Sequence, residues 1–311
     1  MATYQTYTAI GQREDLSDVI YNISPTDTPF ISSIGKGKAT ATYHEWQTDS
    51  LASVNTSNYA VEGAAASDAT MSPTTRAGNR TQISQKTVKV SGTLDAVDKA
   101  GRKSEKAYSL AKASAEVKRD MEAILLSNQA SAAGDASTAR KLGGLQAWLA
   151  TNGDFGSGGS AGASGSTART TGTDRTFTED ILKTVVAEVY TAGGSPKVLM
   201  VRPNHKQVVS GFAGIAAQRY MAPADAPTTI IGAADVYMSD FGSISVVPNR
   251  FITTTDVAFV VDPDMASVAY LRPFQTNELA KTGDAEVTQL LVEYTLQVSN
   301  EAAHGLIADI S

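Results

Sequence analysis

The chain has 311 residues, of which 42% are hydrophobic, so it holds enough apolar side chain to bury a core in one or two domains. It contains no cysteine, which excludes disulfide frameworks, thiol catalysis and thiolate metal sites together. Its 26 basic and 32 acidic side chains give a net charge of −6 without any dense basic run, which is not the footprint of a nucleic-acid-binding protein. The chain shows neither a secretory signal nor an apolar run near the roughly 18 residues of a membrane span, so we expect a soluble protein made without export.

A short helix is predicted near the start, because Leu16, Val19, Ile20 and Ile23 recur at intervals of three or four. This helix must end before the stretch SPTDTPFISSIG at residues 24–35, where two prolines push the residues that precede them out of the helical region. The stretch predicts a rigid elbow that carries an apolar patch.

Residues 40–94 predict a long hairpin with a polar tip. Strand chemistry recurs at residues 42–47 and 83–90, and the residues between them are rich in Ser, Thr, Ala, Asn and Gly. An isolated two-stranded hairpin is marginal in water, so this segment must either be mobile or rest on another surface.

The strongest helical pattern covers residues 95–128 and predicts a strut about 50 Å long. Small and apolar residues follow one stripe of this helix, whereas charged residues, Glu122 among them, cover its other faces. Residues 152–175 are too rich in glycine and small polar residues to order themselves, so they predict a flexible linker or insertion.

A second unit begins with a capping box from Thr176 to Glu179, which predicts the start of a helix. The unbroken apolar run at residues 197–201 predicts a buried strand. In the last strand, residues 290–298 alternate, so one face is expected to be buried and the other largely wet. A further helix is predicted after Pro203, and short strands are predicted around residues 244–247, 258–261 and 267–271. Helices and strands mix without a β-α-β rhythm, which indicates an α+β fold.

Residues that could carry catalytic or metal chemistry are few and scattered. Ser160 lies in a G-x-S-x-G match but lacks the strand and helix that a nucleophile elbow needs. A solvated turn explains residues 35–38, GKGK, better than a phosphate loop, and a turn explains Asp262 and Asp264 better than a calcium site. The three histidines lie in separate elements without metal-ligand spacing: His44, His205 and His304. We therefore predict no catalytic, metal or cofactor-binding residues and no enzyme.

The order of these features resembles the major capsid protein of tailed bacteriophages with the Hong Kong 97-type fold. Two stretches carry the resemblance: REDLSDVIYNISPTDTPFISSIG at residues 13–35 and LAKTGDAEVTQLLVEYTLQVSNEAAHGLI at residues 279–307. It covers essentially the whole chain except the linker. The resemblance implies an α+β subunit that assembles with its own copies into the icosahedral head shell around double-stranded DNA.

The resemblance also implies a division of the chain and a set of contact residues. Six residues of the elbow are the candidates for contact with a neighbouring subunit: Pro25, Asp27, Pro29, Phe30, Ile31 and Ile34. The implied segments are an N-terminal arm (1–39), an extended loop (40–94), a spine helix and peripheral domain (95–151), the linker (152–175), an axial domain (176–273) and a return to the peripheral domain (274–311).

The implied partners are copies of the same chain in hexamers and pentamers, a portal, and packaged DNA without specific binding; a decoration protein is left open. The arm pattern begins close to Met1, so a separate scaffolding protein is expected instead of a fused scaffolding domain. The implied location is the virion, after assembly in the host bacterial cytoplasm. Some relatives crosslink their shells through a lysine of the extended loop. Residues 39–85 contain no lysine, so Lys86 and Lys89 are the remaining candidates, and we expect no crosslinking. An encapsulin-like compartment shell and an extracellular adhesin or tail protein remain the alternatives.

Overall fold

The computed structural model describes residues 24–66, 68–69, 71–98, 101, 103–212, 235–253, 256–281 and 283–311. The helix predicted at residues 16–23 lies outside this part of the chain. The described residues mix helices with strands, and the predicted α+β class is confirmed. Among the helices that the structure describes, none combines the length and the apolar character that a bilayer span requires.

The helices and strands follow one another along the chain without a repeated unit. The helices of the described residues are α1 (Pro29–Ser33), α2 (Gly92–Ala96), α3 (Glu105–Leu125), α4 (Leu145–Trp148), α5 (Glu179–Thr191) and α6 (Pro203–Ser210). The strands are β1 (Gly35–Lys38), β2 (Tyr43–Thr48), β3 (Thr75–Arg80), β4 (Gln82–Ser91), β5 (Gly153–Asp154), β6 (Val198–Val201), β7 (Val236–Ser239), β8 (Gly242–Pro248), β9 (Val257–Val261), β10 (Ala266–Glu278), β11 (Ala285–Val298) and β12 (Gly305–Ala308).

A four-stranded sheet in the order β1–β10–β11–β4 supports the long helix α3, which packs against β4 and β11. Its centre is the antiparallel pair β10–β11, with 13 and 14 residues. The register of this pair shifts between Arg272 and Gln275, around Pro273, because proline cannot donate to a strand ladder and is tolerated at a bulge. The GKGK stretch is β1, an exposed edge strand parallel to β10, so the prediction of a turn there is wrong.

A six-stranded sheet in the order β5–β12–β9–β6–β8–β7 forms the second unit. Its central strands are apolar on both faces because both faces are covered. On β9, Phe259 packs into the core shared with α3, whereas Val260 packs into the core beneath α5. This double burial explains the unbroken apolar run of β6 and confirms the prediction of a buried strand there.

The hairpin at residues 40–94 exists, but its strands are not the predicted pair. β2 pairs antiparallel with β3, whereas the strand around residues 83–90 leaves the hairpin and pairs with β11. β3 reads TRAGNR and has little intrinsic preference for a strand, which is why the sequence did not reveal it. A Cβ on Gly78 would lie 2.8 Å from the Tyr43 ring, so the glycine lets this ring pack closely over β3.

The spine helix is shorter than predicted. The helical pattern at residues 95–128 divides into the one-turn helix α2 and the 21-residue helix α3, which is about 30 Å long. α2 ends where its C-cap, Val97, takes an extended conformation, and Gly101 has a left-handed φ of 75° between the two helices. The Ser104 hydroxyl then caps α3 by accepting from the Ala107 N–H. The predicted length of about 50 Å is therefore wrong.

Residues 152–175 are ordered against the core, so the prediction of a flexible linker is wrong. Arg169 is buried and forms an ion pair of 3.0 Å with Asp309, whose side chain is also fully buried. Gly165 lies so close to Trp148 that a Cβ would come within 2.4 Å of the indole. The glycines of this segment permit close backbone contacts, and one buried ion pair supplies the anchor that composition does not reveal.

Two further predictions fail where tertiary contacts replace local ones. The N-cap of α5 is Thr178, which makes no side-chain capping bond, so the capping box from Thr176 to Glu179 does not form. On β11 the face expected to be wet is buried at Leu291, Glu293 and Thr295, which are at most 7% exposed. The remaining predicted strands and the helix after Pro203 are present.

Candidate assembly surfaces

The elbow at residues 24–35 enters the core of its own subunit. Phe30 is fully buried and Ile34 is 5% exposed, and both pack with α3 and the four-stranded sheet. The other candidates keep accessible surface: Pro25, Pro29 and Ile31 are half-buried and Asp27 is exposed. Contact of these six residues with a neighbouring subunit stays a prediction, although Phe30 and Ile34 already contribute to the fold of the subunit itself.

A buried carboxylate on α3 holds the elbow in place. Glu122 accepts hydrogen bonds from the backbone N–H groups of Phe30, at 2.6 Å, and Ile31, at 2.9 Å. These are the second and third residues of α1, whose N-cap Thr28 makes no side-chain capping bond. Asn249, which follows β8, donates to the same carboxylate at 2.7 Å. Glu122 therefore caps α1 from another helix and ties together the arm, the spine helix and the six-stranded sheet.

Glu122 is fully buried, which contradicts its predicted position on an outer face of the helix. Burial raises the pKa of the Glu122 carboxyl above its usual range, and the three hydrogen bonds that it accepts only partly oppose this. A charged residue beside an apolar stripe gives no sequence signal that it is buried. The donors that require the carboxylate come from residues about ninety positions or more away.

A second buried carboxylate, Glu293 on β11, lies at the base of the extended loop. It accepts from the Thr81 hydroxyl at 2.8 Å and from Arg272 Nε at 2.8 Å, and it also pairs with Arg140. Burial alone would raise the pKa of Glu293, but Thr81 and the two guanidinium groups outweigh it and leave the pKa below its usual range. Nearby, Asn79 of β3 bonds to the backbone of Gly143 and Leu296. The loop base is thus fixed to the subunit by polar contacts.

The two buried carboxylates are expected to respond to acid in opposite ways. A carboxyl whose pKa is raised by folding binds protons more readily in the folded chain, so its protein gains stability as the pH falls to about 4.3. One whose pKa is lowered contributes stability above about 4.3, and this is lost as the pH falls further through the folded pKa. Urea unfolding of the wild type, Glu122→Gln and Glu293→Gln over this range is the measurement. As the pH falls from neutral to about 4.3, the free energy of unfolding of the wild type should rise relative to that of Glu122→Gln. The wild type should lose stability relative to Glu293→Gln only below about pH 4.3. If the stability curves of the three proteins run parallel, both pKa assignments are contradicted.

The tip of the extended loop, residues 49–74, follows from this base and is exposed to solvent wherever the structure describes it. Every residue of the tip that the structure describes is exposed, including apolar side chains that a single subunit would normally bury. The exposed fractions reach 98% for Leu51, 93% for Val54, 85% for Tyr59, 80% for Val61 and 88% for Met71. Exposed apolar side chains that lie close together on a protein surface are typical of a site of contact with another protein.

The residues that could carry catalytic or metal chemistry are not brought together in the part of the chain that the structure describes. Within the described ranges no group of three or more His, Cys, Asp or Glu could hold a metal ion. Ser160 is exposed in a loop, and Asp262 accepts from the Asp264 N–H in the predicted turn. His44 lies 2.9 Å from Gln297, His304 accepts from the Asp262 N–H, and His205 packs edge-on against Phe177.

A spine helix over a long antiparallel pair, a projecting two-stranded loop and a separate six-stranded unit define a shell-forming subunit of the Hong Kong 97-type fold. The capsid asymmetric unit of cyanophage A-1(L) shares this fold with a TM-score of 0.70 and 13% identity, over 96% of this chain and 97% of that chain. The capsid of the native GTA particle matches with a TM-score of 0.61 and 15% identity, over 98% and 97%. The holo-SrpI encapsulin of Synechococcus elongatus PCC 7942 matches with a TM-score of 0.57 and 10% identity, over 97% and 93%.

The chain belongs to the SU10 major capsid protein family, whose model matches residues 2–311. It is 30% identical over 338 residues to the major capsid protein of Escherichia phage Phieco32, with coverage of 98% of this chain and 96% of that protein. It is therefore the major capsid protein of a tailed phage, a structural component of the virion that assembles with its own copies into an icosahedral shell. The encapsulin likeness shows a shared fold alone, and the capsid function inferred from the sequence is confirmed.

Proposed function

We propose that this capsid subunit forms the hexamers and pentamers of the shell, and that its loop tip, residues 49–74, lies across a neighbouring subunit. The observation that carries the proposal is the almost complete exposure of apolar side chains at the tip, among the residues that the structure describes. Burying one such side chain stabilises a contact by about 1.5–3 kcal/mol, so several together supply much of the energy of one standard interface. Repetition around the shell then makes individually modest contacts cooperative.

Replacing Leu51, Tyr59 and Val61 together with serine is expected to abolish shell assembly while leaving the subunit folded. The three side chains are 80–98% exposed among the residues that the structure describes, so their loss should remove contact energy mainly from the assembly. Electron microscopy counts the shells, and urea unfolding of the subunit checks the fold. The matched control is Asn58→Ser in the same tip, which should assemble normally; shells at wild-type yield from the triple variant would refute the proposal.

We further infer that the mature shell contains no covalent crosslinks between subunits. Lys86, one of the two lysines near the loop, bonds to Glu116 at 2.7 Å and lies 3.6 Å from Asp120. The bond to Glu116 raises the pKa of Lys86, so its amine stays protonated and is a poor nucleophile. Denatured mature particles should run as monomers, identically for the wild type and Lys89→Arg. A ladder of oligomers would contradict this expectation.

The remaining partners are proposed from the family resemblance and the charge of the chain. A separate scaffolding protein directs assembly in the host bacterial cytoplasm, a portal occupies one vertex, and a decoration protein is left open. The net charge of −6 supports an inner wall that packages DNA without specific binding. Expression of the chain with and without the scaffolding protein of the same phage tests whether assembly depends on that protein. Closed shells of uniform size in its absence would show that no scaffolding protein is needed.

A further inference from the structure

A groove with a volume of about 450 Å³ opens between the arm elbow, α3 and β10. Its apolar lining includes Ile31 of α1, Met121 of α3, and Tyr270 and Phe274 of β10. Three of these side chains are only half-buried and still offer contact surface, whereas Met121 is buried. The volume lies within the range of about 300–1,000 Å³ that is typical of sites for ligand-sized apolar groups. The groove can therefore accept a few apolar side chains.

Two exposed lysines line the same groove: Lys36 of β1 and Lys118 of α3. Lys118 Nζ lies 6.0 Å from the centroid of the Phe274 ring, so one cation stands directly over the apolar lining. Neither lysine is paired with a carboxylate in the part of the chain that the structure describes. An occupant that combines apolar side chains with carboxylates would match this surface in both shape and charge.

The residues immediately before the described chain have this combination. Residues 14–23 read EDLSDVIYNI, with three carboxylates and no cation. Their apolar side chains stand at positions 16, 19, 20 and 23, a spacing that places them on one face of a helix. Ile23 precedes the groove residue Thr28 by only five positions. A segment tethered this closely has an effective concentration in the millimolar range, which favours binding to its own subunit over another copy.

We propose that, in the unassembled subunit, residues 14–23 occupy this groove on their own chain. The apolar face of the segment meets Ile31 and Phe274, and its carboxylates approach Lys36 and Lys118. This contact covers the groove and holds the N-terminal segment against its own subunit before assembly. Any contact between that segment and a neighbour must first displace it. The docking concerns the free subunit and stands whether or not the loop tip contacts a neighbour in the shell.

Cysteine pairs test the docking directly, because the chain contains no cysteine of its own. Ile20→Cys is combined with Ser32→Cys, an exposed groove residue, and a short bis-maleimide is added to the dilute, unassembled subunit. The matched control combines Tyr21→Cys with Ser32→Cys, since position 21 lies about 100° further round a helix. We expect the first pair to crosslink within one chain about tenfold faster than the control. Equal crosslinking rates for the two pairs would show that residues 14–23 are not docked in the groove. Crosslinked dimers would show that they dock on a second copy. Either result overturns the proposal.

Hydrogen exchange gives a second readout that does not depend on cysteine chemistry. The full-length double variant Lys36→Glu, Lys118→Glu places negative charge opposite the carboxylates of residues 14–23, so their amides should exchange about tenfold faster than in the wild type. The control variant Lys38→Glu, Lys112→Glu changes the same two elements outside the groove and should leave exchange unchanged. Unprotected amides in the wild type, or equal exchange in both variants, would overturn the proposal.

Discussion

Replacing Glu122 with alanine is expected to lower the free energy of unfolding of the subunit by about 3 kcal/mol. The change leaves two backbone N–H groups at the start of α1 and the Asn249 amide without their common acceptor, in a site that excludes water. Each unsatisfied buried donor costs about 1–3 kcal/mol, while the lost desolvation cost of the carboxylate offsets part of the sum. Urea unfolding of the unassembled subunit measures the difference.

Glu116→Ala is the matched control for this prediction, since Glu116 lies on the same helix and pairs with Lys86 at the surface. A surface ion pair contributes less than about 1 kcal/mol, so the control should stay close to the wild type. Hydrogen exchange should also accelerate at the amides of Phe30 and Ile31 in Glu122→Ala alone. Equal stability of the two variants would mean that Glu122 does not hold the elbow.

Replacing Asp309 with asparagine is expected to destabilise the subunit by about 3 kcal/mol or more. Asp309 has a φ of 58°, and asparagine tolerates this left-handed conformation, so the variant removes the charge without adding backbone strain. It leaves the buried guanidinium of Arg169 without its counter-ion, although Arg169 Nε still donates to Gln146 at 2.9 Å. Urea unfolding measures the cost, and limited proteolysis at residues 152–175 reports whether the segment loosens.

Two further variants show whether this cost belongs to the buried pair. Arg169→Met combined with Asp309→Asn should be closer to the wild type than the sum of the single changes, because the second change removes the stranded charge. Glu45→Ala, which breaks an exposed pair with Arg76, should have little effect. Additive losses in the double variant would contradict a direct coupling between Arg169 and Asp309.

The local elements were predictable from the sequence wherever one chemical pattern decides the structure. The apolar run of β6 and the apolar residues of α3, spaced three or four positions apart, both reflect burial of a continuous face. Burial of this kind can be predicted from the apolar character of the side chains. The order of the elements and the two stretches at residues 13–35 and 279–307 were enough to indicate the capsid family.

Pairing and anchoring were not predictable in the same way. The strand around residues 83–90 has strand chemistry that suits either β2 or β11 as a partner, and nothing local decides between them. The base of the loop depends on Asn79 and Glu293, polar residues whose burial has no periodic signal. The resemblance implies the six candidate contact residues of the elbow, and the structure shows that the apolar side chain of Phe30 packs into the core of its own subunit.

The sequence by itself determined the helices and strands with a strong apolar pattern, such as α5 and β6, the absence of cysteine chemistry, and the class of shell protein to which the chain belongs. Only the tertiary structure decided that Glu122 lies inside, bonded to an amide 92 residues away, and that residues 152–175 are anchored by Arg169 to Asp309, 140 residues away. The physical reason is that side-chain periodicity reports which face of an element is buried. The partner of a buried polar group depends instead on where distant parts of the chain meet.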